Sequence, residues 1–336
     1  MKKSTDKKIK LSLMFLFTLF VFIISFGIGR YKINFSEIIK VFASKFIYIE
    51  KTWKNEVETV MFQVRLPRII AATLIGSSLS VAGAVYQGLF RNPMVSPEVL
   101  GASSGAGFGA ALGILLNMAY ASIATMSFSF GLLAVFLAYN ISKFSKLNKT
   151  LSMVLGGIMI GSIFSSLISF LKLVADPINI LPSITYWLMG SLASIKISDI
   201  KFASIPIIIG LIPIFLLRWR LNLLTMGEEE AKSMGVNTSI LRIICIICAS
   251  LVTAASVSIS GMIGWIGLVI PHFARLIVGY DYKYLIPACI FLGSGYLLII
   301  DDIARILTTS EIPIGILTSL VGAPVFLILL LKEEVS

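Results

Sequence analysis

The segment Arg65–Gly107 reads RLPRIIAATLIGSSLSVAGAVYQGLFRNPMVSPEVLGASSGAG, and it contains most of what decides the fold. Two arginines, Arg65 and Arg68, precede a long apolar run in which glycine, serine and alanine recur. A polar turn with Pro93 and Pro97 ends that run, and a second run of small residues follows. Because small residues let membrane helices approach one another closely, the segment predicts two tightly packed apolar helices joined by a turn.

The composition of the whole chain excludes a soluble domain. Hydrophobic residues make up 57% of the 336 residues and charged residues only 13%, whereas soluble domains carry about 25% charged residues. A membrane span needs about 20 mainly apolar residues, and only helices or closed barrels satisfy their backbone in lipid. The apolar runs are long and do not alternate, so they predict helices. The run at 11–29 follows five lysines and lacks a signal-peptide cleavage pattern, which indicates an uncleaved first span.

Polar breaks divide the chain into about ten predicted transmembrane helices. The predicted spans are 11–29, 66–90, 99–116, 121–142, 151–174, 199–217, 240–259, 265–279, 284–304 and 313–332. The fold class is therefore an all-α polytopic membrane protein, a single transmembrane domain over 1–336 with both termini in the cytoplasm. Lysine and arginine are enriched in the predicted cytoplasmic breaks, which supports this orientation. The first external loop, 30–68, is an exception with eight basic residues.

A weak internal repeat relates the two halves of the chain. A shift of 178 residues aligns Ser78, Ser80, Gly83, Pro93 and Gly101 with Ser256, Ser258, Gly261, Pro271 and Gly279. Such a match also arises by chance in apolar sequence of low diversity. If the repeat is real, spans 2–5 and 7–10 form an inverted pair, as in transporters with a midplane pathway.

The chain resembles the FecCD-type permeases, the membrane subunits of ATP-binding-cassette (ABC) importers for ferric siderophores, haem or cobalamin. The matching segments are Arg65–Gly107, WLMGSL (187–192), GEEEAKSMGVN (227–237), GWIGLVIPHFAR (264–275), DDIAR (301–305) and IPIGILTSLVGAPVF (312–326). They cover nearly all of the chain after residue 60. The resemblance implies a homodimeric permease in the cytoplasmic (inner) membrane of a bacterium. Its implied partners are two separate ABC ATPase subunits, an external substrate-binding protein and the lipid bilayer, with no nucleic acid.

A polar insertion at 226–239 predicts a cytoplasmic coupling loop. Acidic residues at its start suit a helix N-terminus and a later glycine suits a helix-ending turn, so we expect a short surface helix followed by a second. The loop resembles a degenerate form of the E-A-A-x3-G motif of ABC importers. The resemblance implies that the ATPase docks on Glu228, Glu229, Glu230, Ala231 and Gly235. The alternative is a solvated loop.

Arginines mark the predicted outer face. In the family, the positions of Arg65 and Arg305 form salt bridges with the two lobes of the binding protein, so the resemblance implies binding-protein docking at both. Arg68 is interpreted as structural. From the residues alone, Arg305 has an alternative role, because Asp301 and Asp302 precede it at helical spacing and are able to pair with it.

Small polar residues recur on the predicted fifth and tenth spans. They include Ser162, Ser166 and Ser169 on the fifth, and Thr318 and Ser319 on the tenth. In the family these helices face a central pore, so the residues are candidates for pathway lining. Tight helix packing is the alternative interpretation. Asn148, Lys149 and Thr150 occupy the place of the family's cytoplasmic gate.

No catalytic, metal or cofactor site is predicted. His272 is the only histidine, and Cys245, Cys248 and Cys289 lie inside apolar runs, where we interpret them as packing residues. The sequence has no Walker phosphate-binding loop, so ATPase activity is expected on a separate subunit.

The leading hypothesis is the permease of a ferric-siderophore importer. Cobalamin, haem and molybdate are alternative cargoes within the same family. An ion-coupled secondary transporter is a rival from another class, but it requires intramembrane carboxylates, and the predicted spans offer chiefly Asp301 and Asp302. A membrane enzyme is weaker still, since no clustered reactive residues are present.

Overall fold

The structure is a computed structural model that describes residues 2–145, 148–226, 228–235, 237–308 and 310–333. Nearly all of these residues are helical. The helices are α1 (Lys2–Ile24), α2 (Phe35–Ala43), α3 (Asn55–Thr59), α4 (Leu66–Phe90), α5 (Ala102–Leu115), α6 (Tyr120–Phe144), α7 (Lys149–Val174), α8 (Ile180–Leu188), α9 (Ile197–Met226), α10 (Glu228–Ser233), α11 (Thr238–Ser260), α12 (Ile266–Val278), α13 (Tyr282–Ile306) and α14 (Ile314–Glu333). A π-helical turn, Val60–Arg65, leads into α4, and a 3₁₀ helix, Pro97–Leu100, precedes α5.

Each of the ten predicted spans coincides with one helix, namely α1, α4–α7, α9 or α11–α14. Within the described residues, six helical segments are long and apolar enough to cross a membrane: Asn55–Phe90, Tyr120–Phe144, Thr150–Val174, Ile197–Met226, Thr238–Ser260 and Tyr282–Ile306. Three shorter helices are also apolar: Ala102–Leu115, Ile266–Val278 and Ile314–Leu329. A helical, multi-span architecture is therefore confirmed. The count of ten spans, the cytoplasmic termini and the inverted repeat stay predictions.

Helix α4 is the centre of the bundle. In its most apolar stretch 83% of the residues are buried, against 28% for α9. It packs against α9, α11, α12 and α13, and its surface is built from glycine, alanine and serine rather than large side chains. A helix in lipid gains little from hiding apolar surface, so close van der Waals contact has to hold it in place.

Two glycines of α4 show how close this contact is. A Cβ at Gly76 would lie 2.2 Å from the carbonyl oxygen of Gly293 in α13. A Cβ at Gly83 would lie 1.8 Å from the carbonyl oxygen of Gly267 in α12. The Ser80 hydroxyl between them donates to the Cys289 carbonyl oxygen at 2.7 Å. The backbones of α12 and α13 thus approach α4 only because no side chain stands between them.

The peripheral helices expose large apolar side chains. On α1, Leu13, Leu16 and Phe20 are exposed, while Thr18 on the inner face donates to the Phe291 carbonyl oxygen at 2.8 Å. This division into an inner face with a backbone anchor and an outer apolar face is what a helix against lipid requires. Cys245, Cys248 and Cys289 are free and buried, in agreement with a packing role.

Replacing Gly83 by alanine should destabilise the fold, because the new methyl would overlap the Gly267 carbonyl and neither backbone is able to move cheaply. Overpacking of this kind costs about 1–3 kcal/mol or more. Gly161→Ala is the matched control, since its Cβ would meet its nearest neighbour at an ordinary 3.7 Å. Thermal unfolding of the purified variants in detergent measures the difference. Equal unfolding temperatures for the two variants would contradict the packing described here.

Candidate functional site

The predicted coupling loop contains the expected short helix. Helix α10 lies between α9 and α11 and packs against both. Ala231 is fully buried in this contact, whereas Glu230 is exposed. Met226 and Met234, at 60% exposure each, flank the helix with apolar surface. The side chains of Glu228 and Glu229 lie outside the described part of the structure, as do residues Gly227 and Val236.

Gly235 ends α10 in a left-handed conformation, with φ of +78°. Among the described residues, a Cβ at this position would meet no atom within 4 Å. Glycine is therefore favoured by the backbone conformation and not by lack of space. The next helix begins at once, because the Asn237 side chain accepts the Ile240 N–H at 3.1 Å and caps α11. The result is a short helix that projects polar and apolar side chains.

The three arginines predicted at the outer face lie inside the protein. Arg65, Arg68 and Arg305 are each less than 5% exposed. Arg68 and Arg305 pair with Asp301, Asp302 and Glu311. Arg65 donates to carbonyl oxygens of the same segment, 25–31, to which Arg305 donates. We call these six residues the outer ion cluster. It joins the beginning of α4 to the end of α13 and to the segment before α14. Its three basic and three acidic side chains carry equal and opposite charge.

The contacts within the outer ion cluster are direct. Arg68 Nε lies 2.7 Å from Asp301 Oδ1, and Arg68 Nη1 lies 2.6 Å from Glu311 Oε2. Arg305 Nε lies 3.1 Å from the other oxygen of Asp301, and its Nη2 pairs with Asp302. A hydroxyl just after α1 completes the cluster, since Ser25 Oγ donates to Asp302 at 2.7 Å. Buried charges persist only when they are paired and hydrogen-bonded in this way.

Docking of a binding protein at Arg65 and Arg305 stays a prediction, and in the single chain both guanidinium groups are buried and bonded within the bundle. Arg65 donates to the carbonyl oxygens of Phe26 and Tyr31. Arg305 donates to those of Ser25 and Ile28, both at 3.1 Å, besides its two aspartates. Both guanidinium groups are therefore occupied in closing the bundle between α1, α4 and α13. The alternative interpretation, in which Arg305 pairs with its neighbouring acids, agrees with the structure, as does a structural role for Arg68.

Helix α7 has two different faces. Its glycines serve packing: a Cβ at Gly157 would lie 2.2 Å from the Val99 carbonyl oxygen of the 3₁₀ helix, and one at Gly156 3.1 Å from the Ala138 carbonyl oxygen of α6. Four of its serines are exposed, namely Ser162, Ser165, Ser166 and Ser169, whereas Ser152 near its start is buried. Two of these hydroxyls donate to carbonyl oxygens of their own helix, Ser162 to Ile158 at 2.9 Å and Ser169 to Ser165 at 3.0 Å. Packing therefore describes the glycine face of α7, and pathway lining by the exposed serines stays a prediction.

Helix α14 places its predicted lining residues differently from α7. Thr318 is fully buried and Ser319 is half-buried, and both donate to the Gly315 carbonyl oxygen, at 3.1 and 2.8 Å. A Cβ at Gly315 would lie 2.3 Å from the Met189 carbonyl oxygen, so this end of α14 rests on the segment after α8. Thr318 does not line any open surface in this structure, and the lining prediction is not met for it.

The predicted gate residues begin α7. The Asn148 side chain accepts the Thr150 N–H at 2.9 Å and caps the helix, and Thr150 is half-buried. The Lys149 side chain lies outside the described residues. Beyond the other end of α7, the Asp176 carboxylate accepts the Asn179 N–H at 2.9 Å, and this hydrogen bond holds the pKa of Asp176 below its usual value.

A cavity that the sequence did not suggest lies at the outer end of the bundle. It has a volume of about 470 Å³ and lies between the start of α6, helix α8 and the end of α11. Aromatic and hydroxyl side chains line it, among them Tyr120, Ser183, Tyr186, Trp187 and Ser191. Its residues come from three segments, 114–123, 182–194 and 259–261, which are at least 59 positions apart in the chain. No local sequence pattern brings such residues together, so only the packing reveals the cavity.

Comparison with known proteins shows the family. A model of the FecCD transport family matches residues 17–332. The chain belongs to the FecCD transport family. It is 39% identical to the molybdate import permease MolB of Haemophilus influenzae, over 92% of this chain and 91% of that protein. It is 40% identical to a probable iron chelatin transport permease of Helicobacter pylori, over 83% and 85% of the two chains.

A solved structure agrees with the whole fold. It is described as a metal-chelate type ABC transporter in an inward-facing conformation, and it superposes with a TM-score of 0.86 at 37% identity, over 96% of this chain and 98% of that one. The family member described here is thus the membrane permease of an ABC importer, a multi-pass protein of the inner membrane. Permeases of this kind are transport channels that work with separate ATPase subunits and a binding protein. Related permeases are also named for cobalamin and hemin.

The outer ion cluster predicts a contrast between two of its acids. Asp301→Asn should destabilise the protein strongly, because it removes the charge between two buried arginines, and breaking a buried pair costs about 3–5 kcal/mol. Glu311→Gln should cost about 1 kcal/mol or less, because the Glu311 side chain is 27% exposed and water is able to compensate. Thermal unfolding in detergent compares the two. Similar unfolding temperatures would show that the cluster does not hold the helices together.

Proposed function

We propose that two copies of this chain form the translocation pathway of an ATP-driven importer of a bulky iron chelate of the ferric-siderophore type. The observation that carries the proposal is the exposed serine face of α7. A row of hydroxyl side chains gains nothing from contact with lipid, but it suits a water-filled route along which a chelate slides without tight binding. Cobalamin, haem and molybdate are the alternative cargoes that relatives carry by name.

Symmetry supports the use of two copies. Homo-oligomers commonly associate through the same surface on both subunits around a two-fold axis. If α7 of each copy faces that axis, Ser162, Ser166 and Ser169 of both chains line one central route. Ser319 of α14 is half-buried in the single chain, so it contributes less than the serines of α7. Asn148, Lys149 and Thr150, at the start of α7, then lie at the cytoplasmic end of the route as its gate.

Cysteine labelling tests this route. Single cysteines at Ser162, Ser166 and Ser169 should react with a water-soluble thiol reagent in the assembled transporter, and the rates should change when ATP is trapped in the partner. Thr318→Cys is the buried control and should stay unreactive. In addition, Ser166→Trp should block uptake while the ATPase still co-purifies. If the α7 cysteines are as unreactive as Thr318→Cys in every nucleotide state, then α7 is a packing helix and the route lies elsewhere.

Coupling to ATP hydrolysis is proposed to pass through α10. Exposed Glu230 and Met234 offer polar and apolar surface to an ATPase groove, and buried Ala231 fixes the helix to α9 and α11. Glu228 and Glu229, at the start of the helix, are proposed to take part in the same docking. Movement of the ATPase would then be transmitted to two long membrane helices at once. The outer cavity near α8 lies at the far end of the bundle, where cargo from a binding protein would enter.

The left-handed turn at Gly235 provides a test of coupling. Gly235→Ile should uncouple ATP hydrolysis from transport, because a β-branched residue is strongly disfavoured at positive φ. Gly235→Asn is the matched control, since asparagine tolerates this conformation. Both variants have open space for the side chain, so both should insert and dimerise. ATPase co-purification and ATP-driven uptake in proteoliposomes are measured. Normal uptake by Gly235→Ile would remove this turn from the coupling mechanism.

A further inference from the structure

Glu98 is an isolated carboxylate in the turn between α4 and α5. The prediction of membrane spans did not single it out, because it lies in a turn. It belongs to the 3₁₀ helix Pro97–Leu100, and its side chain is exposed in the single chain. Within the described residues, the Glu98 carboxylate has no hydrogen bond and no ion pair. The acids of the outer ion cluster, by contrast, are all paired with arginines.

The 3₁₀ helix lies at membrane depth. Gly157 of α7 touches Val99 and Leu100, and it stands eight residues inside the end of α7 at Lys149, which corresponds to about 12 Å of helix. On the opposite side, a Cβ at Gly267 of α12 would lie 2.2 Å from Pro97. The polar turn therefore folds back into the bundle instead of remaining at the surface.

Other contacts hold this re-entrant segment in place. Gln87 of α4 donates from Nε2 to the carbonyl oxygens of Val95 and Gly267, both at 3.2 Å. The 3₁₀ helix also packs against α4, α5, α6 and α11, so it lies within the bundle and not on its lipid-facing rim. Irregular backbone at this depth is tolerated only where protein buries it or where it lines a water-filled cavity.

The surroundings of the Glu98 carboxylate place it beside the helices of the proposed route. Its Oε1 lies 3.4 Å from where a Cβ at Gly264 would stand, in the linker between α11 and α12. In the same linker, Trp265 packs against Gly322 of α14. A Cβ at Gly322 would lie 2.7 Å from the Cβ of Trp265. The carboxylate thus lies where the 3₁₀ helix meets α7 on one side and the linker to α12 and α14 on the other.

An unpaired carboxylate at this depth is costly in lipid, so such groups face water-filled pathways. We propose that Glu98 lines the translocation route and gives it a negative potential, which favours neutral or cationic metal chelates over free oxyanions. This inference rests on the proposed function, because the route must exist for the charge to act in it. With two copies around one axis, two carboxylates would contribute. Glu98 would then be a specificity-determining residue of the permease itself, in addition to any selection by a binding protein.

A reporter thiol measures this potential without knowledge of the natural cargo. Gly264→Cys puts a half-exposed thiol next to Glu98, and the three native cysteines are buried. The assembled transporter is treated at low salt with a cationic and an anionic methanethiosulfonate, and the ratio of their rates is recorded. The cation should react faster, and Glu98→Gln should lower the ratio by about tenfold, the effect of a unit charge about 6 Å away in water on reagents of opposite sign.

Two variants serve as controls. Glu98→Asp keeps the charge and should retain most of the ratio, whereas Glu56→Gln removes an exposed acid of α3 and should leave the ratio unchanged. Added salt should reduce the ratio in the parent but have little effect in Glu98→Gln. These readouts respond to charge and not to folding, so a merely structural role of Glu98 would not produce them.

A ratio that does not change in Glu98→Gln would overturn the inference, and so would a thiol at Gly264 that stays unreactive in every nucleotide state. The proposed function fails differently, through unreactive cysteines at Ser162, Ser166 and Ser169 or through loss of the ATPase. A transporter that passes those tests but shows no effect of Glu98 has the proposed route without this charge filter.

Discussion

Direct contact between the backbone of α4 and the backbones of α12 and α13 is the constraint on which the rest of the structure depends. Gly76 and Gly83 bring α4 against the carbonyl groups of Gly293 and Gly267, where a single methyl group would overlap. In lipid, burial of apolar surface provides little driving force, so shape has to provide the stability. Once α4 is held on one side, the turn that follows it is pressed between α7 and α12.

The outer ion cluster complements this packing at one end of the bundle. Its arginines, Asp301 and Asp302 are buried and Glu311 is partly exposed, and the cluster joins the segment after α1 to α4, α13 and the segment before α14. Buried ion pairs add little net stability, but they penalise any arrangement that separates them. The cluster therefore specifies how the outer ends of four elements meet. Because the cluster holds these ends together, we expect the movements of transport to occur elsewhere, on α7 and α10.

Helix α7 has one packed face and one open face. Its glycine face receives α6 and the 3₁₀ helix, while its serine face remains open on the single chain. Helix α10 is placed differently, as a small projection on two long helices, with its connection to α11 set by one left-handed residue. The same fold thus provides a fixed frame around α4 and two exposed surfaces at which partners are able to act.

The sequence by itself determined the helical membrane class, the positions of the long helices, the coupling helix with its terminal glycine, and the family. These follow from local signals, namely apolar length, glycine at positive φ and short motifs, which act within a few residues. It did not determine which way a charged side chain faces at a helix end. The sequence predicted an exposed Arg65 and left Arg305 open between docking and pairing with its neighbouring acids. Carbonyl groups of the segment after α1 and acids of α13 bury both side chains. Thr318 is buried by neighbouring helices. Glu98 lies at membrane depth because the turn that contains it, whose sequence is typical of a surface loop, folds back into the bundle. Such outcomes depend on contacts between distant segments, and these exist only in the tertiary structure.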